Sequence, residues 1–192
     1  MDWTAVKRLR ILILLALTCV VFQFTPIYEH LIYRRDDILS GDWWLVLSGN
    51  FVHLGTSHLV MNFTGLTLVI ALIGDNYSEP EWIFIGLISS LAVGVGLLAF
   101  VPWLQAYVGL SGMIHGLLIA GCLIEWRRSG LFGLMIAGVS VGKLVYEQIY
   151  GAMPGSEETA GGPVIVDSHL FGAIGGLIAG GLVLLLRLLK RD

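Results

Sequence analysis

The sequence predicts an all-α membrane protein: a bundle of six transmembrane helices with a short fourth helix and a long first loop. Three observations predict it. Apolar side chains make up 56% of the 192 residues and charged ones only 13%, about half the charged share of an ordinary soluble domain. The apolar residues gather into six runs, Ile11–Ile27, Ser57–Ile73, Trp82–Val101, Ser111–Ile124, Leu131–Ile149 and Ser168–Leu186. Each approaches the ~20 residues that a helix needs to cross a hydrocarbon core ~30 Å thick. Glycine is abundant, at 25 residues, as it is in membrane helices. The whole chain, residues 1–192, reads as one domain, without repeats, low-complexity tracts or a linker. A net charge of −3 argues against a nucleic-acid partner. The partner that the composition implies is the lipid bilayer.

The first run follows "VKRLR", which looks like the start of a signal peptide. It has no small-residue cleavage site before Pro26, so an uncleaved first helix is expected. The loop from Tyr28 to Thr56 carries "GDWWLVLSGNFVH", and Trp43 and Trp44 suit a membrane interface. The fourth run, Ser111–Ile124, spans roughly 21 Å as a helix and is too short to cross. The preceding "WLQAYVGL" is therefore expected to reach into the membrane zone as irregular backbone. Such backbone survives only where protein buries it or water reaches it, which predicts a water-accessible cavity open to the outer face. Basic residues cluster as Lys7, Arg8 and Arg10 before the first run, Arg127 and Arg128 after the fourth, and Arg187, Lys190 and Arg191 after the sixth. With six spans all three clusters share one side, the cytoplasmic one. Arg34 and Arg35 fall on the other side, matched by Asp36 and Asp37. Cys19 and Cys122 each lie inside an apolar run; buried thiols are expected, with a disulfide between them left open.

Polar groups inside spans are costly, and by default they mark a functional site or a buried structural pair. Counting helix rise from each basic or acidic end gives their depth. Ser111 is sixteen residues from Arg127, His169 eighteen from Arg187, His58 seventeen from Asp75 and Asn62 thirteen from Asp75. At 1.5 Å per residue these are ~24, ~27, ~26 and ~20 Å, so four polar residues from three helices share a layer. Gly112 and Gly116 form a small-residue ridge on helix four, and Gly172 and Gly176 form one on helix six. Such ridges let backbones approach closely. Facing each other, they would bring Ser111 and His169 within the hydrogen-bond reach that a nucleophile and its base require.

Plainer readings stand beside these. Ser111 also suits a helix N-cap, and His169 a helix-start histidine near the interface. His58 and Asn62 share a helix face, as a structural pair would, or as two donors aimed at an oxyanion. His115 sits on the face of Ser111 and is expected to pack beside the site without joining its chemistry. Lys143 and Glu147 are read as an internal ion pair, and Asp167 as a cap or loop residue. No H-E-x-x-H occurs, and the spacing of His53, His58, His115 and His169 lends no support to a zinc site. Neither a metal nor another cofactor is expected.

The segments "HLGTSHLVMN" (His53–Asn62), "GLSG" (Gly109–Gly112) and "HLFGAIGG" (His169–Gly176), in that order, resemble the rhomboid family of intramembrane serine proteases. The resemblance extends from about Trp43 to Leu186. It implies a rhomboid-like bundle with Ser111 as nucleophile and His169 as base. It also implies that His58, Asn62 and the backbone N–H of Ser111 support the oxyanion, with Gly109, Gly112, His115 and Gly172 around them. Family members cleave transmembrane segments of other proteins near the membrane surface. Two departures stand out. "WWLV" lacks the arginine that many rhomboids carry after a tryptophan in the first loop. His115 stands where many carry the aromatic residue that packs on the catalytic histidine. "GLSGMIHG", a minimal six-helix chain and the Lys143/Glu147 pair resemble the rhombosortase branch. That branch is associated with bacterial exported proteins bearing a C-terminal Gly-Gly, helix and basic-tail signal. The implied partners are membrane-anchored protein substrates with a C-terminal helix. The implied setting is the bacterial inner membrane, with both termini cytoplasmic and the active site opening to the periplasm. A general rhomboid protease acting on other single-span substrates, an inactive rhomboid-like protein that binds membrane clients, and a small transporter are the rival readings. An inactive member normally loses the serine or histidine, and this chain keeps both. A transporter needs a through-path rather than a one-sided cavity.

Overall fold

The computed structural model describes the backbone of residues 3–190 and the side chains of all of these except residues 3–9 and 11. Arg191 lies outside the described residues. The helices in chain order are α1 (Trp3–Gln23), α2 (Arg35–Ser40), α3 (Leu45–Ser48), α4 (Thr56–Ile73), α5 (Glu79–Phe100), α6 (Ser111–Ser129), α7 (Leu131–Tyr150), α8 (Ser156–Ala160) and α9 (Val166–Leu189). The six longest correspond to the six apolar runs. Three segments, Thr56–Asn76, Glu79–Phe100 and Val166–Leu189, are long and apolar enough to cross a membrane.

Two boundaries differ from expectation for physical reasons. Helix α1 starts at Trp3 rather than Ile11, so residues 7, 8 and 10 lie within it. It stops at Gln23, before a 3-10 turn over Pro26–His30. The fourth long helix, α6, is not short. It continues past Ile124 to Ser129 and spans ~28 Å. Glu125 does not break it, because that carboxylate is buried against the bundle. There it accepts hydrogen bonds from Asn76 Nδ2 at 2.6 Å and from the Ser129 hydroxyl.

The segment before α6 is irregular, as its sequence suggests, and protein satisfies it. Strand β1 (Tyr33–Arg34) pairs antiparallel with β2 (Ala106–Tyr107), with Tyr33 opposite Tyr107. Arg35 N–H donates to Gln105 O at 2.9 Å, and Gly109 N–H to Gly49 O at 3.0 Å. The first loop is thus a folded cover. Ile38, Leu45 and Val46 from it pack with Val93, Leu97 and Tyr107 in one apolar cluster.

Helices α6 and α9 form the centre, and the two glycine ridges face each other. A Cβ added at Gly172 would land on the carbonyl of Gly112, and one at Gly176 on the carbonyl of Gly116. Only glycine permits backbones this close. A cavity of about 260 Å³ lies between α1, α4, α5 and α6, lined by apolar residues including Leu12, Leu66, Ile70, Trp82, Met113 and Leu117. It includes neither Ser111 nor His169, so it is not the polar cavity expected at the serine. Cys19 and Cys122 are free, buried thiols.

Candidate active site

Ser111 is the first residue of α6. Leu110 occupies the N-cap position, and no side chain caps this helix. The Ser111 hydroxyl therefore does not serve as a cap. Its approach is held by the loop before it. Gly109 adopts φ +130°, a region that side chains rarely tolerate, and a Cβ there would sit 2.8 Å from Cε1 of His58. The Tyr107 hydroxyl donates to the Gly109 carbonyl at 2.7 Å. Burial pushes the Tyr107 phenol up to about 12, so it remains a donor at working pH.

The close contact of α6 and α9 brings Ser111 Oγ within 2.9 Å of His169 Nε2. His169 is 4% exposed, in the first turn of α9, and Ser111 retains partial exposure. Asp167, two residues earlier, lies in the same first turn. The partner of His169 Nδ1 is instead Glu147 on α7, whose Oε2 lies 2.9 Å away. Glu147 Oε1 accepts from Lys143 Nζ at 2.6 Å. Lys143 Nζ also lies 3.0 Å from His115 Nε2, and His115 Nδ1 is 2.7 Å from the Ser111 carbonyl. The His115 ring stacks on His169, with centroids 4.2 Å apart and planes inclined by 19°.

His115 thus lies beside the Ser111–His169 pair, where its spacing put it. Spacing alone shows only Lys143, the i,i+4 partner of Glu147, and not its contact with His169. A signal existed. Glu147 is sixteen residues from Leu131, or ~24 Å along its helix, which is the depth counted for Ser111.

On the other flank His58 and Asn62 project from α4 and are both buried. His58 Nδ1 accepts from Leu54 N–H at 3.3 Å, which leaves Nε2 of the neutral ring carrying the hydrogen. Asn62, 3% exposed, has no partner for Nδ2 among the described residues. His53 stands edge-on to His58, with centroids 5.2 Å apart. Burial, with His58 as neighbour, lowers His53 to about 3, so its ring stays neutral.

The ligand atoms of His115, Glu147 and His169 lie within 4.8 Å of one another, a spacing compatible with a metal ion. His53 and His58 do not belong to that group. The Lys143 ammonium already bonds two of the three residues, so the cluster carries its own cation.

The Rhomboid domain family matches residues 40–186 of this chain. Rhomboid protease GluP of Bacillus subtilis (strain 168) is 25% identical over 142 residues, covering 74% of this chain and 26% of GluP. The chain thus spans about a quarter of that relative's length. The protein named Putative rhomboid protease YdcA, from the same organism, is 21% identical over 173 residues, covering 86% of this chain and 83% of YdcA. The family match and the three apolar helices make this an integral membrane protein.

Proposed function

The chain belongs to the rhomboid family, and on that premise we propose that it is an intramembrane serine endopeptidase working through Ser111 and His169. The observation that carries the proposal is the 2.9 Å contact between Ser111 Oγ and His169 Nε2, held at a helix crossing that only glycines allow. His169 takes the Ser111 proton as Oγ attacks a peptide carbonyl, and the carbonyl oxygen becomes an oxyanion. Backbone N–H of Ser111, His58 Nε2–H and Asn62 Nδ2–H are the donors for it. Asn62 supports this role because its buried Nδ2 has no other partner among the described residues. His169 then passes the proton to the leaving amine, and water or another nucleophile releases the acyl-enzyme.

The substrate we propose is a membrane-anchored exported protein with a C-terminal Gly-Gly, helix and basic tail, in the manner of the rhombosortase branch. The proposed topology has six spans, α1, α4, α5, α6, α7 and α9, in the bacterial inner membrane. Both termini and the Arg127/Arg128 turn are cytoplasmic, and Ser111 opens to the periplasm.

Fluorophosphonate labelling of wild type, Ser111→Ala and His169→Ala in detergent tests the chemistry. Labelling of wild type alone is expected, and equal labelling of all three ends the proposal. Cleavage of a tail-bearing substrate, against one whose tail is replaced by an unrelated single-span helix, tests the specificity. Equal cleavage of both makes this a general rhomboid protease.

A further inference from the structure

Glu147 is a buried charge that an ion pair with Lys143 does not fully account for. Only one of its oxygens meets the ammonium, and the other meets the ring nitrogen of His169 that faces away from Ser111. The side chain is 2% exposed, and α7 delivers it to the start of α9 across the bundle. An ionised carboxylate only accepts hydrogen bonds, so His169 Nδ1 carries the hydrogen. The Nε2 lone pair is then left facing the Ser111 hydroxyl 2.9 Å away. That is the tautomer a general base requires.

The tautomer of His115 is fixed in the same way. His115 Nδ1 faces a carbonyl, which accepts, so Nδ1 donates; Nε2 is then free to accept from Lys143. The bonds close a circuit. It runs from the Ser111 hydroxyl through His169, Glu147, Lys143 and His115 back to the Ser111 carbonyl. Each group in it is held by two partners.

We infer that Glu147 is the positioning residue of a Ser111–His169–Glu147 triad, with Lys143 and His115 holding its carboxylate in place. The inference rests on the serine-protease reading above. When Nε2 takes the Ser111 proton, the new imidazolium forms against the Glu147 carboxylate, and the Nδ1 proton stays on the ring. The carboxylate orients the base and faces the charge that develops. It does not touch substrate.

The test compares wild type, Glu147→Gln, Glu147→Asp and Ser111→Ala in detergent. It uses the second-order rate of fluorophosphonate labelling, the melting temperature, and the ¹⁵N spectrum of histidine-labelled protein, with the His169 signal assigned by its loss in His169→Gln. Wild type is expected to show His169 protonated at Nδ1. Glu147→Gln is expected to label at least about 100-fold more slowly, below the ~10⁴ that an orienting carboxylate supplies in a serine-protease triad, and to show mixed tautomers. Glu147→Asp, which keeps the charge, is expected to regain part of the rate. Wild type that labels no faster than Ser111→Ala overturns the serine-protease reading itself. A normal rate and tautomer in Glu147→Gln overturn the triad alone. Resting wild type with the hydrogen on His169 Nε2 also overturns it, and that measurement needs no Glu147 variant to fold.

Discussion

Two buried polar clusters sit at opposite ends of the same helices, and they are completed differently. At the far end of α6 and α9, Asn76 donates to Glu125 at 2.6 Å and accepts from Arg128 at 3.2 Å. Arg187 meets both oxygens of Glu81, at 2.9 and 2.6 Å, and the Asn76 carbonyl at 2.9 Å. At the Ser111 end, Asn62 Nδ2, Asn50 Oδ1 and both ring nitrogens of His53 are buried without a partner among the described residues. Tyr77 OH and Glu79 Oε1 at the far end are also without a partner among the described residues, but neither belongs to the Asn76–Glu125 network. A buried polar atom left unpaired costs about 1–3 kcal/mol. A satisfied network holds helices together, whereas polar atoms that the protein leaves unpaired are available to other partners.

Exchanging the fates of two asparagines puts that contrast to its hardest test. Asn62→Ala is expected to lower turnover by about 10²–10³, the usual loss for one oxyanion donor. Its melting temperature should hold or rise, because the donor removed has no partner among the described residues. Asn76→Ala is expected to do the reverse. It strips a hydrogen bond from buried Glu125 and costs about 1–3 kcal/mol, with turnover per folded molecule unchanged. Tail-substrate cleavage and melting in the same detergent read both. If Asn62→Ala destabilises as much as Asn76→Ala while turnover survives, the two clusters are alike and both are structural.

A second comparison sets two glycines of α9 against each other. A Cβ at Gly176 would land on the Gly116 carbonyl, whereas one at Gly181 meets nothing within 4 Å. Gly176→Ala must push α6 from α9, at a cost of about 3 kcal/mol, and it opens the Ser111–His169 contact. Gly181→Ala should stay within about 1 kcal/mol of wild type and remain active. Equal activity in both would mean that the ridge does not set the distance between serine and histidine.

The layer of Ser111, His169, His58 and Asn62 was legible because helix rise is constant, so a count along each run gives depth. The glycine ridges were legible because small residues four apart have few other uses in an apolar helix. Helix ends were harder to read. The apolar run ends at Ile124 because Glu125 is charged, yet α6 continues to Ser129, with Glu125 bonded to Ser129 one turn on and to Asn76, forty-nine positions away. Glu147 was hidden in the same way. Its neighbour in sequence is Lys143, and its second partner, His169, is reached only through the packing of α7 on α9. The folded first loop was invisible to periodicity, since its short helices and two-residue strand pairing depend on contacts with the segment before Ser111.

The mildest test concerns His53, both of whose ring nitrogens lack a partner among the described residues. Its imidazole is lowered to about 3 in the folded protein, against an ordinary value of ~6.5 in the unfolded chain. Between those values the unfolded chain binds a proton that the folded chain refuses. The contribution to stability is therefore complete above ~6.5 and falls as pH drops through the window, by about 1.4 kcal/mol per unit. Between pH 7 and pH 5 the loss is about 2 kcal/mol. Other groups titrate over the same range, so the quantity to measure is a difference. His53→Phe keeps an aromatic edge against His58 and removes the titration. Its stability should fall by about 2 kcal/mol less than that of wild type between those pH values. Parallel pH curves for the two proteins would mean that His53 finds a proton acceptor in the fold. The Ser111 end would then be better satisfied than its geometry indicates.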